Sequence, residues 1–303
     1  MSQALRFGII TIQDLPWPTM VEQWKRIERL GFDSIWIADH FVDPFYPKGN
    51  WLDGWTLLSA LATQTTKIRV GTLVTNFIYR NPAMIAKQAL TVDHISGGRL
   101  ELGLGATTEI DPSHAMTGAA VWSPAERVGR FREVVAIVDG MLRNEVTTYT
   151  GRYYQVGEAQ MHPSPIQKPR PPLTIAAGGR ATLKIAAKYA DAWNSYGGFD
   201  VSSREALEKL RQQSKLLEQY CGEIGRDPKE ITHSYLVGFT EERPCASIDA
   251  FIDFVERYQE EGVREFIFYY DRAGMSAEKH LTFEMSERIA TEVIPALRSR
   301  AVG

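Results

Sequence analysis

Short apolar runs, rich in β-branched and aromatic residues, alternate along this chain with longer stretches whose apolar positions recur at helical spacing. Residues 6–12 form the first run. A helix follows from about Thr19, with Val21, Trp24, Ile27 and Leu30 on one face, and ends at Gly31. Residues 33–38 predict a second strand and residues 53–65 a second helix. Residues 67–74, a helix opened by Asn81-Pro82 and closed by Ser96-Gly97-Gly98, and residues 99–105 predict one βαβ unit with parallel neighbouring strands. A long loop, 107–122, leads to a helix from Ser123, with capping-box spacing to Glu126, that runs to about Arg143.

The alternation continues through the second half. Residues 146–149 and 152–156, joined through Gly151, predict a small hairpin outside the main repeat. Strands at 171–177, 191–195, 231–239 and 264–270 are each followed by a helix: from about Ala181, over 203–224, over 247–261, and one closing near Leu297. Eight strand–helix alternations predict a single-domain α/β fold, a (β/α)8 TIM barrel over 1–303 with a hairpin insertion at about 146–156. An open doubly wound sheet is the competing arrangement. Its first turn ordinarily carries a glycine fingerprint, and Gln13-Asp14-Leu15-Pro16 has none.

Composition narrows the function classes. The 303 residues are 44% hydrophobic and 23% charged with a formal net charge of -3, which gives no electrostatic case for nucleic acid. No apolar run approaches the roughly 20 residues of a membrane helix. Cys221 and Cys245 have neither metal spacing nor a disulfide pattern, and the expected compartment is cytoplasmic.

In a barrel of this kind, catalytic groups gather at the C-terminal ends of strands and in the loops after them. Asp39-His40 falls at such an end. A histidine beside a carboxylate can exchange protons near neutral pH, with the Asp fixing its tautomer, or the pair can simply cap the loop. Gly103-Leu104-Gly105-Ala106 either admits a flat ring close to the backbone or serves barrel packing. Ala176-Ala177-Gly178-Gly179-Arg180-Ala181 runs a strand into a helix start. Its free N–H groups suit a phosphate, to which Arg180 can add charge; a turn without ligand is the alternative. Ser195-Tyr196-Gly197-Gly198 is similarly placed. His114 is a weaker candidate, and His94, His162, His233 and His280 have no chemistry visible in their surroundings. No spacing supports a metal site, and no GxSxG elbow supports a serine hydrolase.

The stretch GTLVTNFIYRNPAMIAKQALTVDHISGGRLELGLGA, residues 71–106, resembles the central block of the bacterial luciferase-like family of flavin and deazaflavin oxidoreductases. The resemblance extends over nearly the whole chain, and SIWIADH together with GTLVTNFIYRNPAMIAK is closer to the F420-dependent branch. It implies a barrel that binds coenzyme F420 and passes hydride to or from a small organic substrate. It places His40, with Asp39 beside it, next to the reactive face of the cofactor. It also implies a bulge with a non-prolyl cis peptide at Leu73-Val74, followed by Thr75, behind the cofactor ring. It implies that the turn Ala177, Gly178, Gly179 and Arg180 holds the cofactor's phosphate; with that cofactor, Ala106 at the small-residue strand end is expected to face the ring, and the similarly placed Ser195 and Gly197 to line the same tail. Glu109 stands where sugar-oxidising relatives have an acidic proton donor, although the loop 106–111 departs from the commoner pattern. The rival readings are an FMN-dependent monooxygenase using reduced FMN and O2, a flavin-binding barrel without catalysis, and an unrelated phosphate-binding lyase or isomerase. Relatives of this kind pair through barrel helices, which implies a homodimer.

Overall fold

The computed structural model describes residues 4–107 and 111–300. Eight parallel strands close into a barrel: β1 (Arg6–Thr11), β2 (Ser34–Ile37), β3 (Arg69–Asn76), β4 (Leu100–Gly105), then β7 (Leu173–Ala176), β8 (Ala192–Ser195), β9 (Thr232–Leu236) and β10 (Val263–Tyr269). Closure comes from β1 pairing with β10, with Phe7 opposite Phe266. Between β4 and β7, β5 (Val146–Thr150) and β6 (Gln155–Gln160) form an antiparallel hairpin apart from the barrel. The expected architecture, including the hairpin, is therefore present. The 231–239 strand is shorter than expected: β9 stops at Leu236, and Gly238 at φ +123° turns the chain away.

The helices are α1 (Trp17–Leu30), α2 (Gly54–Gln64), α3 (Pro82–Ser96), α4 (Ser113–Thr117), α5 (Pro124–Arg143), α6 (Arg180–Tyr189), α7 (Ser203–Glu223), α8 (Ile248–Glu260), α9 (Phe283–Arg288) and α10 (Ile294–Arg300). Local chemistry sets most of their ends. Asn81 accepts the Ala83 N–H at 2.9 Å with Pro82 in the first turn, and Gly97 closes α3 at φ +67°. Ser202 and Glu205 cap α7 reciprocally. Ser123 caps α5 as its spacing predicts, but the Glu126 side chain turns to Arg130 instead of reaching back. One element had no apolar period to announce it: α4, a single short turn inside the 107–122 loop.

The main core lies between the barrel wall and the helices. A second, smaller cluster fills the barrel interior: Ile10, Ile12, Trp36, Ala38, Leu73, Ile267 and Tyr269. Trp36 is fully buried there, bonded to Ser34 Oγ at 2.8 Å. Below it, at the N-terminal ends of the strands, Glu101 takes hydrogen bonds from Arg6 and Arg69. Glu265 is completely buried beside this group, with Arg6 Nη1 at 3.4 Å.

Burial, opposed by Arg6 and reinforced by the neighbouring Glu101 charge, pushes the Glu265 carboxyl from 4.5 up to about 7. A carboxyl whose folded pKa is raised holds its proton more tightly in the folded state. Its contribution to stability is therefore full below pH 4.5 and declines as pH rises towards 7. Glu265→Gln is expected to raise the melting temperature by a few degrees at pH 8 and to change it little at pH 5. Thermal melts of both proteins across that range check this, and an equal shift at both pH values would count against it.

Candidate active site

Cavities open at the C-terminal ends of the strands, where the barrel topology collects its loops, and two of them adjoin. The first is a cleft of about 530 Å³ running from Val74, Gly105 and Ala106 to Gly178 and Gly179. Its floor is shaped by a bulge in β3, where the register against β4 slips between Thr72 and Thr75. The Leu73–Val74 peptide in that bulge is cis, as the resemblance implies. Glycines in β4 make room for it: a β-carbon on Gly103 would collide with Thr72 O, and one on Gly105 would lie 2.5 Å from Val74 Cγ2.

The far end of the cleft is the N-terminus of α6. Thr182 Oγ1 takes the Gly179 N–H at 3.2 Å, and the N–H groups of the first turn lack helical acceptors. Gln213 of α7 bridges this turn to β8: its Nε2 donates to Gly178 O at 2.9 Å, and its Oε1 accepts from Ser195 Oγ at 3.1 Å. Arg127 from α5 and Lys209 from α7 bring positive charge to the same cleft, which suits an anionic group at a helix N-terminus.

The second cavity, about 380 Å³, has mostly apolar and aromatic walls, among them Ile12, Phe45, Trp51, Phe199, Phe239 and Tyr269, with His40 and Asp111 also lining it. Ring contacts from Tyr196, on the first cleft, to Phe199 and Phe239, on the second, make the two cavities neighbours. His40 Nδ1 lies 2.7 Å from Asp111 Oδ2. Burial works against ionisation of Asp111, but hydrogen bonds from His40 and Ser113 outweigh it and hold its carboxyl down at about 2. An ionised carboxylate only accepts, so Nδ1 carries the proton in the neutral imidazole and Nε2 is left as the acceptor. Trp51 fixes the backbone beneath, donating Nε1–H to His40 O at 2.7 Å.

The expected partnership of Asp39 with His40 needs correcting. Asp39 is buried and turned away, accepting Arg80 Nη2 at 2.8 Å, Arg80 Nε at 3.2 Å and the Asn76 N–H at 3.0 Å. It clamps the end of β2 to the end of β3 and lines neither cavity. The carboxylate on His40 is Asp111, a residue that only the fold of the 107–122 loop brings across. Val74, Ala106, Ala177, Gly178, Gly179, Ser195 and Gly197 all line the first cleft. Leu73 and Thr75 are buried behind it, with the Thr75 hydroxyl 2.7 Å from that of Thr72. Arg180 is exposed and does not line the cleft. His114 is buried against Tyr79, and Glu109 lies outside the described residues. Arg127, Lys209 and Gln213 were not foreseeable, because nothing in a helix sequence marks which of its polar residues faces a cleft.

The family profile described as luciferase-like monooxygenase matches residues 5–293. The chain belongs to this family. Within it, the chain is 28% identical over 221 residues to an F420-dependent glucose-6-phosphate dehydrogenase of Amycolatopsis mediterranei, covering 71% of this chain and 65% of that enzyme. It thus spans just under two thirds of that dehydrogenase's length. It is 30% identical over 261 residues to an uncharacterized protein of Mycobacterium tuberculosis, covering 80% of this chain and 82% of the other. A solved F420-dependent secondary alcohol dehydrogenase, in complex with an F420-acetone adduct, shares the fold with a TM-score of 0.81 at 20% identity, covering 97% of this chain and 99% of its own. Among the described residues, no helix is long and apolar enough to cross a membrane.

The Asp39–Arg80 clamp is testable apart from any activity. Arg80→Ala leaves a buried carboxylate without its cation and is expected to cost about 3 kcal/mol of stability. Asp53→Asn, which removes the charge of a half-exposed partner of the same arginine but keeps an acceptor for the α2 N-cap, is expected to cost far less. Urea denaturation of the two variants compares them directly, and equal losses would argue against the clamp.

Proposed function

We propose that this protein is an F420-dependent oxidoreductase that passes hydride between the deazaflavin and an uncharged, largely apolar organic substrate. The observation that carries this reading is the arrangement of the two cavities. A cleft with a bulged floor and a cation-flanked helix N-terminus lies beside an apolar cavity walled by a His–Asp pair. The residues present fit the cofactor. Val74, Gly105 and Ala106 leave a shallow floor for a flat ring, while Gly178, Gly179, Thr182, Arg127 and Lys209 suit its phosphate. Bound there, the deazaflavin supplies a carbon that takes up or releases hydride and does not readily activate oxygen.

His40 handles the proton. When an alcohol is oxidised, its carbon loses hydrogen together with two electrons, and its hydroxyl proton passes to His40 Nε2. Asp111 holds the ring in that tautomer and stabilises the imidazolium that forms. In the reductive direction the same nitrogen returns the proton. Aromatic walls orient the substrate and exclude water. Arg272, the one Arg or Lys among the described residues lining this cavity, is bonded by Asp43 through both carboxylate oxygens at 3.1 Å. Its charge is already offset by Asp43, which makes glucose 6-phosphate, the substrate in the dehydrogenase relative's name, a poor fit here.

The second reading, an FMN-dependent monooxygenase, is favoured by the family's description. Titrating F420 and FMN against intrinsic tryptophan fluorescence separates the two. Tight F420 and weak FMN binding are expected; the reverse, with oxygen uptake on reduced FMN, would sink the proposal. His40→Ala is expected to lower turnover of a secondary alcohol or cyclic enone by about 100-fold or more while leaving F420 affinity intact. Glucose 6-phosphate is expected to give no turnover. If F420 binds but no substrate of any class turns over, the non-catalytic barrel becomes the better account.

We also infer a cytoplasmic homodimer. Two free, buried cysteines are in keeping with a reducing compartment, and Met84 and Ile95 leave apolar side chains exposed on α3. Sedimentation velocity is expected to give twice the chain mass, and a single-chain mass at micromolar concentration would refute the dimer.

A further inference from the structure

Ser113 opens α4 and is fully buried against Asp111, lining neither of the two cavities. Its backbone N–H goes to Asp111 Oδ1 at 2.9 Å, which leaves Oδ2 for His40 Nδ1. Its hydroxyl oxygen accepts the N–H groups of Phe41 and Val42, the two residues that follow His40, at 3.3 and 3.4 Å. A serine hydroxyl has two lone pairs and one hydrogen. With both lone pairs facing amides, only the hydrogen is left to give. The Tyr79 hydroxyl stands beside the same oxygen, but an ionised carboxylate is the stronger acceptor, so the hydrogen goes to Asp111.

These bonds close a ring. The His40 imidazole meets Asp111, Asp111 meets Ser113, and Ser113 grips the backbone that leads straight back to His40. The contact between His40 and Asp111 does not by itself fix the carboxylate, because an aspartate side chain turns about two bonds. Ser113 takes away that freedom by holding the carboxylate and the residues after His40 from one buried point. We propose that Ser113 is a positioning residue for the proposed reaction: it aims Asp111 at His40 Nδ1 and so keeps the imidazole in the tautomer whose Nε2 accepts the substrate's proton. The inference rests on the acid–base role given to His40 above and names what enforces it. In water a neutral imidazole prefers the opposite tautomer, with its proton on Nε2. Without a fixed acceptor at Nδ1, the nitrogen facing the substrate would therefore carry a proton for most of the time.

The test uses the full chain and two readouts. The first is the nitrogen NMR signature of the His40 ring at alkaline pH without cofactor, its signals identified by their loss in His40→Ala. The unaltered protein is expected to show the Nδ1–H tautomer and Ser113→Ala a shift towards Nε2–H. The second is turnover of a secondary alcohol with F420. Ser113→Ala is expected to lower kcat about tenfold with KM and F420 affinity unchanged, but to cost nothing further in a protein already carrying Asp111→Ala. Thr117→Val serves as the control. It removes the 2.8 Å bond from Thr117 Oγ1 to Ser113 O on the same short helix without touching the Ser113 hydroxyl, and should change neither readout. An unchanged tautomer in Ser113→Ala would overturn the inference, as would additive losses with Asp111→Ala or an equal effect of Thr117→Val. If F420 does not bind or no alcohol turns over, the cofactor reading fails, while the tautomer comparison still decides whether Ser113 orients the pair.

Discussion

Closure of the sheet, made where β1 meets β10, fixes the directions of all eight strands at once. Because every strand is parallel, all their C-terminal ends and the loops that follow them meet at one face. His40, the β3 bulge, the Gly178-Gly179 turn and Ser195 are far apart in sequence yet share that face for this reason alone. The opposite face carries the buried Glu101 and Glu265 with the half-buried Arg6 and Arg69, a group whose charges bear on stability and not on the cavities.

Within that frame the candidate site depends on two kinds of exactness in packing. One is backbone shape: the β3 bulge and the missing side chains of Gly103 and Gly105 give the first cleft its floor. The other is the division of labour between two aspartates. Asp39 is consumed by Arg80 and the end of β3, a structural role that locks the strand next to the bulge. Asp111 is thereby the carboxylate that orients His40. The aromatic cavity beside that pair has the apolar walls that exclude water.

The sequence by itself determined the barrel, the hairpin, the order of the strands and several of the residues that line the first cleft. These follow from local causes: alternation of period, proline and asparagine at helix starts, glycine at helix ends, and the order of elements. The resemblance added the Leu73–Val74 cis peptide, which no local pattern reveals. Only the tertiary structure decided the partners. His40 and Asp111 are separated by 71 positions and meet because the residues after β2 and those after β4 share the barrel's C-terminal face. Lys209 and Gln213 face the cleft because α7 packs with one particular face inward. Adjacency in the chain made Asp39 look like the partner of His40, but neighbours near a strand end point in different directions. Side-chain pairing is set by which surfaces meet after the fold closes, and that information is not local to any stretch of the chain.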